Sequence, residues 1–217
     1  MGMLTIERLT TMVSHMRILT VFIIIAGSLQ ANESPSNKHD IFQLRIVNEE
    51  KSDLLSYRAE DALNLALKNP NSKTAIAQSL EKGRKFAKLT PDEILLHYWR
   101  TPYGAKDGKI LPREFAVLGK QIFSCLHIEE AIPGPKTSTG KYTFEIRLNR
   151  EGTRRMAKIT ADNVEKRIGI VFKGRVIGNP RVHVPITKGV MVVAVGLDKQ
   201  IMESMVREIN ACRSRRT

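Results

Sequence analysis

Cysteine and aromatic residues are scarce in this chain: two Cys, one Trp, and 6% Phe, Tyr and Trp together across 217 residues. Two cysteines are too few for a disulfide-built scaffold, so a hydrophobic core has to hold the fold, and 42% apolar content with 26% charge is enough to form one. Long apolar runs are missing too. The longest, Ile18 to Ala26, is nine residues, whereas a bilayer-spanning helix needs about 20; nothing here reads as a polytopic membrane protein. Catalytic signatures are equally thin. His15, His39, His97, His127 and His183 show no metal-ligand spacing, and there is no G-x-S-x-G elbow, P-loop or H-E-x-x-H. His127 beside Glu129 and Glu130, or His183 near Arg181, could meet in space, but a histidine in an apolar strand reads first as a structural residue. We therefore expect no enzyme, no cofactor and no metal.

What is present begins with the amino-terminal flank. Arg17 precedes the run Ile18 to Ala26, and Ala26-Gly27-Ser28 follows as an A-x-S cleavage site, with Leu29-Gln30-Ala31 a poorer one. A weakly basic start, a short apolar core and small residues are the parts of a secretory signal peptide. Residues 1–31 are assigned to it, Met16 serves equally well as its start, and the bland alternative is a buried amino-terminal helix. No Cys follows at lipobox spacing. The expected address is periplasmic or secreted, with no transmembrane anchor left after cleavage.

Charge is distributed unevenly. Residues 32–140 hold 16 Lys and Arg against 14 Asp and Glu, a net of +2; residues 141–217 hold 17 against 7, a net of +10. A basic half attracts anions. In the cytosol that would first suggest nucleic acid; after export it suggests acidic polypeptide, lipid head groups or wall polymers, with a merely solvated face as the simplest reading. No RNP-type aromatic pattern or K-homology GxxG loop is present, so nucleic acid is not expected. A nucleic-acid-binding basic α+β domain stays as the alternative, with an envelope enzyme of unrecognised type behind it.

Along the chain, Asn32 to Asp40 reads as a linker. Leu54, Leu55, Ala62, Leu65 and Ala66 mark a helix over 53–67 with Asp53 as cap, Asn69-Pro70 breaks it, and 74–88 forms a second helix. Thr90-Pro91-Asp92-Glu93 signals a third helix start. Trp99 to Pro112 reads as a loop, and Trp99 as a core anchor rather than a stacking platform. From Cys125 the pattern turns to strands. Residues 126–132 and 141–148 flank a turn-rich loop and predict a hairpin. A helix over 151–166 follows, capped by Asn149, with Ala157, Ala161 and Val164 inward. Then come the hairpin Ile168 to Gly178, short strands at 182–186 and 190–195, and a helix from Asp198 to Cys212.

This order predicts an α+β fold: an antiparallel or mixed sheet with helices on one face, a ferredoxin-like half, preceded by a small helical segment. The division expected is a helical segment and loop at 32–110 and an α+β domain at 111–217. Cys125 and Cys212 could bridge in an oxidising compartment or remain two buried thiols.

Three patterns in fixed order carry a resemblance. Leu148-Asn149-Arg150-Glu151-Gly152 leads into a helix containing Ile159-Thr160; Ile170 to Ile177 forms a hairpin about Lys173-Gly174; and Pro180 is followed by Pro185-Ile186 and Gly189. Over roughly residues 118–212 the chain resembles the head subdomain of the first periplasmic domain of the SecD and SecDF translocase accessory proteins. The resemblance implies a periplasmic binding module that contacts extended or partly folded polypeptide, or an envelope protein, through a sheet edge and its basic surface, with Sec translocase components among its partners. It departs from the family in its glycine-poor segment Ile186 to Met191 and carries over no proton-coupled membrane part. Lys173, Arg175 and Arg181 are the candidate partner-binding cations.

Overall fold

The computed structural model describes residues 41–100, 111–138, 140–197 and 199–214, all within one compact unit, Lys38–Thr217. The expected signal peptide, the linker, most of the loop before Leu111 and the Asp198 cap lie outside the described residues. In chain order the elements are β1 (Phe42–Val47), α1 (Glu49–Arg58), α2 (Glu60–Lys68), α3 (Lys73–Ala87), β2 (Ile94–Arg100), β3 (Leu111–Ser124), a 3₁₀ turn (Cys125–His127), β4 (Ile128–Pro133), β5 (Tyr142–Leu148), α4 (Arg150–Asp162), β6 (Ile168–Phe172), β7 (Arg175–Gly178), β8 (Val190–Leu197) and α5 (Lys199–Ser214). The α+β class is as expected; what differs is that the strands form two sheets.

Five strands close into a barrel in the order β1-β3-β2-β7-β6, with β1 paired antiparallel to both β3 and β6. Three strands, β4-β5-β8, form a separate antiparallel sheet. The 14-residue β3 serves both. It pairs with β1 and β2 in the barrel, then passes through the 3₁₀ turn into β4. Strands from either side of residue 110 are thus hydrogen-bonded into one barrel.

Three of these strands were not expected: β1, β2 and β3 all precede Cys125, where the strand pattern was read to begin. β1 alternates buried Phe42 and Leu44 with half-buried Gln43 and Arg45, a short period-2 pattern overshadowed by the helices after it. β2 occupies the place of the predicted third helix. The Thr90–Glu93 motif makes one of the two contacts of a capping box, with the Glu93 carboxylate accepting from the Thr90 N–H at 2.9 Å. Glu93 N–H also donates to Thr90 C=O, which closes a turn, and the apolar run Ile94 to Trp99 leaves that turn extended and buried on the barrel wall. Conversely, no strand forms at 182–186; only an isolated Arg167–Arg181 bridge remains there. The 53–67 helix is two helices, the first capped by Asn48, whose Oδ1 accepts from Lys51 N–H at 3.1 Å.

Helix α4 buries Gly152, Met156 and Thr160, not Ala157, Ala161 and Val164. Its inner row follows the i, i+4 spacing, and a glycine and a threonine in that row hid it from a count of apolar residues. Thr160 earns its burial through hydrogen bonds. Its hydroxyl donates to Met156 C=O at 2.7 Å and accepts from Ile186 N–H at 2.8 Å. The main core lies between barrel, second sheet, α4 and α5, around Phe42, Phe123, Phe144, Met156 and Ile209. A second cluster joins Leu55, Ala62, Leu95 and Phe115 beneath α1 to α3, and Val47, Leu118, Val171 and Val176 form a third from strands alone. Trp99 is buried, in keeping with its reading as an anchor.

Cys125 and Cys212 are joined in a disulfide with their Cα atoms 6.0 Å apart, tying the last helix to the turn between the sheets. Replacing both by Ser should lower unfolding free energy by about 2–5 kcal/mol in urea titrations, following the loop-entropy effect of a long closed loop; an unchanged midpoint would show that packing alone holds α5. The glycines separate two causes. A Cβ at Gly152 would overlap the His127 carbonyl oxygen, a backbone atom. Gly174 has open space around it but φ +72°. Gly152→Ala should therefore cost about 2–3 kcal/mol by overpacking and Gly174→Ala only about 1 kcal/mol by left-handed strain, a ranking that thermal melts of the two variants check.

Candidate partner-binding surface

Lys173, Arg175 and Arg181 lie on or just beyond the β6–β7 hairpin, and each has an internal contact. Lys173 occupies the tight turn with φ +48° and pairs with Glu208 of α5. Arg175 lays its guanidinium over the Trp99 ring, 4.1 Å from the centroid, and burial pulls its pKa below the ordinary arginine value. Arg181 reaches Glu49 of α1 at 3.2 Å and Glu165 at 3.9 Å, beside an Arg167–Glu49 pair at 3.2 Å. The hairpin brings Lys173 and Arg175 together. Arg181 belongs instead to a carboxylate-bridged cluster holding the α4–β6 and β7–β8 connections to α1.

The acids in these pairs were missed in the sequence because they are remote. Glu49 lies 118 residues from Arg167 and 132 from Arg181. No local spacing signals such a contact. Cations without a hydrogen bond or ion-pair partner among the described residues lie elsewhere: Arg150 and Arg154 on the exposed side of α4, and Lys188 before β8. Gly189 packs against the Thr153 side chain, which sets Lys188 beside the first turn of α4, where Arg150 and Arg154 project.

The described histidines, His97, His127 and His183, lie in three separate places. His127 Nδ1 accepts the Ser124 N–H at 3.1 Å and its ring lies on Phe123, so it shapes the 3₁₀ turn. His183 and Arg181 both approach Glu165, at 3.6 and 3.9 Å, on open surface. His97 is 1% exposed, stacked on Phe115 and 3.0 Å from Ser79 Oγ, which in turn donates to Ala62 C=O. That serine–histidine pair is sealed in the core beneath α2 and α3. Among the described residues no cluster of three His, Cys, Asp or Glu could hold a metal ion. An open groove of about 530 Å³ lies between the ends of α1 and α3, with Tyr57 and Phe86 on its walls and Arg58, Glu60, Asp61, Lys82 and Lys85 around it.

The geometry thus defines a class: a mixed α+β module, a closed barrel joined to a three-stranded sheet. Residues 103–204 match the family model described as SecDF, P1 head subdomain, and the resemblance read from the sequence is borne out. Among solved structures, one described as a membrane component SecDF that enhances protein export is 19% identical, with TM-score 0.46, covering 81% of this chain and 62% of that one. Another, SecDF in a super-membrane-facing form, is 20% identical with TM-score 0.46, covering 81% of this chain and 19% of that one. The chain spans less than two thirds of the length of either. No curated protein sequence matches it. No helix among the described residues is long and apolar enough to cross a membrane.

Two buried ionisable groups make the module acid-sensitive. Burial holds the His97 pKa at about 4, so the folded state binds a proton less readily than the unfolded chain. At Glu93, burial alone would raise the pKa, but hydrogen bonds from Lys51, Thr90 N–H and Asn48 outweigh it and hold the value at about 2. Both stabilising contributions are complete at neutral pH. His97's falls away as pH drops below about 6.5 towards 4, Glu93's as pH drops below about 4.5 towards 2. The His97 effect is worth about 3 kcal/mol. Urea midpoints from pH 7 to 4 should fall accordingly, and less steeply in His97→Phe; parallel slopes for the two proteins would remove His97 from the account.

Proposed function

We propose that this chain is an exported, periplasmic or secreted binding module that engages extended or partly folded polypeptide, or an envelope partner such as a component of the Sec translocase. The observation that carries the reading is the match of residues 103–204 to the SecDF P1 head, and the +10 charge of residues 141–217 supports it. Its work is contact rather than catalysis.

Lys173, Arg175 and Arg181 are the cations assigned to this contact. In the free protein their charges are held by Glu208, by the Trp99 ring, and by Glu49 with Glu165. A carboxylate on an approaching segment exchanges with these internal partners, which gives modest affinity, fast exchange and strong dependence on salt.

A fluorescently labelled acidic polypeptide, kept unfolded by reduction and carboxymethylation, is the direct probe. Anisotropy should show binding at low salt, about tenfold weaker binding when ionic strength is raised from about 0.01 M to 0.15 M, and weaker binding again in Lys173→Gln/Arg181→Gln. Absence of binding at low salt, or equal binding of the folded parent of the same probe, would refute the reading.

A further inference from the structure

Backbone hydrogen bonding leaves one edge of the second sheet unaccounted for among the described residues. The five barrel strands close through β1, between β3 and β6, and through a single parallel pair, Tyr98 with Val176, between β2 and β7. In the second sheet, β4 is an edge strand closed by a side chain. Asn210 of α5 accepts from Ala131 N–H and donates to Ala131 C=O, both at 2.8 Å, so its amide takes the place of a neighbouring peptide group. β8, the other edge, pairs only with β5. No backbone or side-chain hydrogen bond from a described residue meets the opposite side of Val190–Val193. Proteins ordinarily cover, charge or shorten such an edge.

The side chains of β8 agree with an edge kept for use. Val190 is 41% exposed and Val192 57%, whereas Val193 between the layers is buried. Two β-branched residues at alternate positions stand on the outer face, where a charge would normally discourage pairing. Register sets their neighbours: Val190 lies beside Arg147, which faces Glu130, and Val192 lies beside Glu145, which faces Ile132. The strand is regular only from Val190 to Val193. Beyond it the pairing shifts, with Leu197 opposite Tyr142 and Val193 opposite Phe144, and the resulting bulge turns the edge away.

Charge gives the edge a direction. Lys188 immediately precedes Gly189, which packs on Thr153, a residue flanked on α4 by Arg150 and Arg154; none of these three cations has an ion pair or hydrogen bond among the described residues. Glu145 stands in the Val192 row. A carboxylate on an added strand is attracted at the Val190 end and repelled beside Val192.

We propose that Val190–Val193 is a docking edge for a short extended polypeptide segment of about four residues, with β-branched or apolar side chains against Val190 and Val192 and an acidic residue reaching Arg150, Arg154 and Lys188. This rests on the polypeptide-binding reading above and specifies where and how the chain is held. The added strand gains backbone hydrogen bonds irrespective of its sequence, while the cations select its charge and register.

The probe is a fluorescein-labelled peptide of four alternating Thr and Val residues closed by two Asp, with a second peptide carrying the Asp pair at its other end. One of the two should bind the full chain the more tightly. N-methylation of alternate amides should weaken that peptide about fivefold for each hydrogen bond lost, and methylation of the intervening amides should leave it unchanged. Val192→Glu and Arg154→Glu, both on exposed positions, should each weaken it as well, with circular dichroism unaltered. Binding that is indifferent to N-methylation and to Val192→Glu would overturn the docking edge while leaving polypeptide binding standing. The same holds if the carboxymethylated polypeptide binds and neither peptide does. A concentration-dependent dimer, abolished by Val192→Glu, would overturn it in favour of a second copy as the occupant.

Discussion

The constraint on which this structure depends is that a strand's outward backbone groups must find partners or remain a liability. β1 satisfies it for five strands at once. By inserting between β3 and β6 it closes the barrel, and it brings α1 and its Asn48 cap against the start of β2, where Asn48 and Lys51 both bond Glu93. Without β1, β3 and β6 would each expose an edge, and the core between barrel and second sheet would lose Phe42 and Leu44. The same requirement explains Asn210, a polar side chain spent on a single peptide group of β4. Against that economy, the edge of β8 at Val190–Val193, which no described residue bonds, is the one assigned to a partner.

Electrostatics follow from the same packing. The carboxylates that pair with the basic half come from both sides of its boundary: Glu49 of α1 joins Arg167 and Arg181, while Glu165 and Glu208 lie within it and reach Arg181 and Lys173. Lys173 and Arg181 are therefore paired in the free protein and exchange these acids for a partner's, whereas Arg150, Arg154 and Lys188 have no such pair among the described residues. Buried His97 and the hydrogen-bonded Glu93 secure the helices against β2 and β3, so the helical segment and the barrel respond to acid together rather than separately.

Much of this was legible in the sequence where local pattern and tertiary role coincide. Tyr142 to Leu148 alternates and forms β5, Lys173-Gly174 makes the tight turn of the β6–β7 hairpin, and Asn149 caps its helix. Legibility failed where tertiary contacts overrode the local signal. Thr90 to Glu93 makes one of the two contacts of a capping box yet initiates a strand, because the residues after it belong to the barrel wall. The inner row of α4 is Gly152, Met156 and Thr160, of which only one looks hydrophobic. Candidate cations could be named from charge density alone. Their internal acids could not, since Glu49 and Glu208 are brought to them only by the fold. The role of β8 was likewise hidden: a run of valines reads as a strand, but whether its edge is covered depends on what every other strand does.

Hydrogen–deuterium exchange of the full chain, with and without saturating carboxymethylated acidic polypeptide, tests the central claim most directly, since it reads backbone hydrogen bonds themselves. The account predicts that added protection is confined to amides in Val190–Val193 that point away from β5, with the first turn of α4 affected at most weakly. Protection elsewhere, around the Tyr57–Phe86 groove or spread evenly over the basic surface with β8 unchanged, would contradict it.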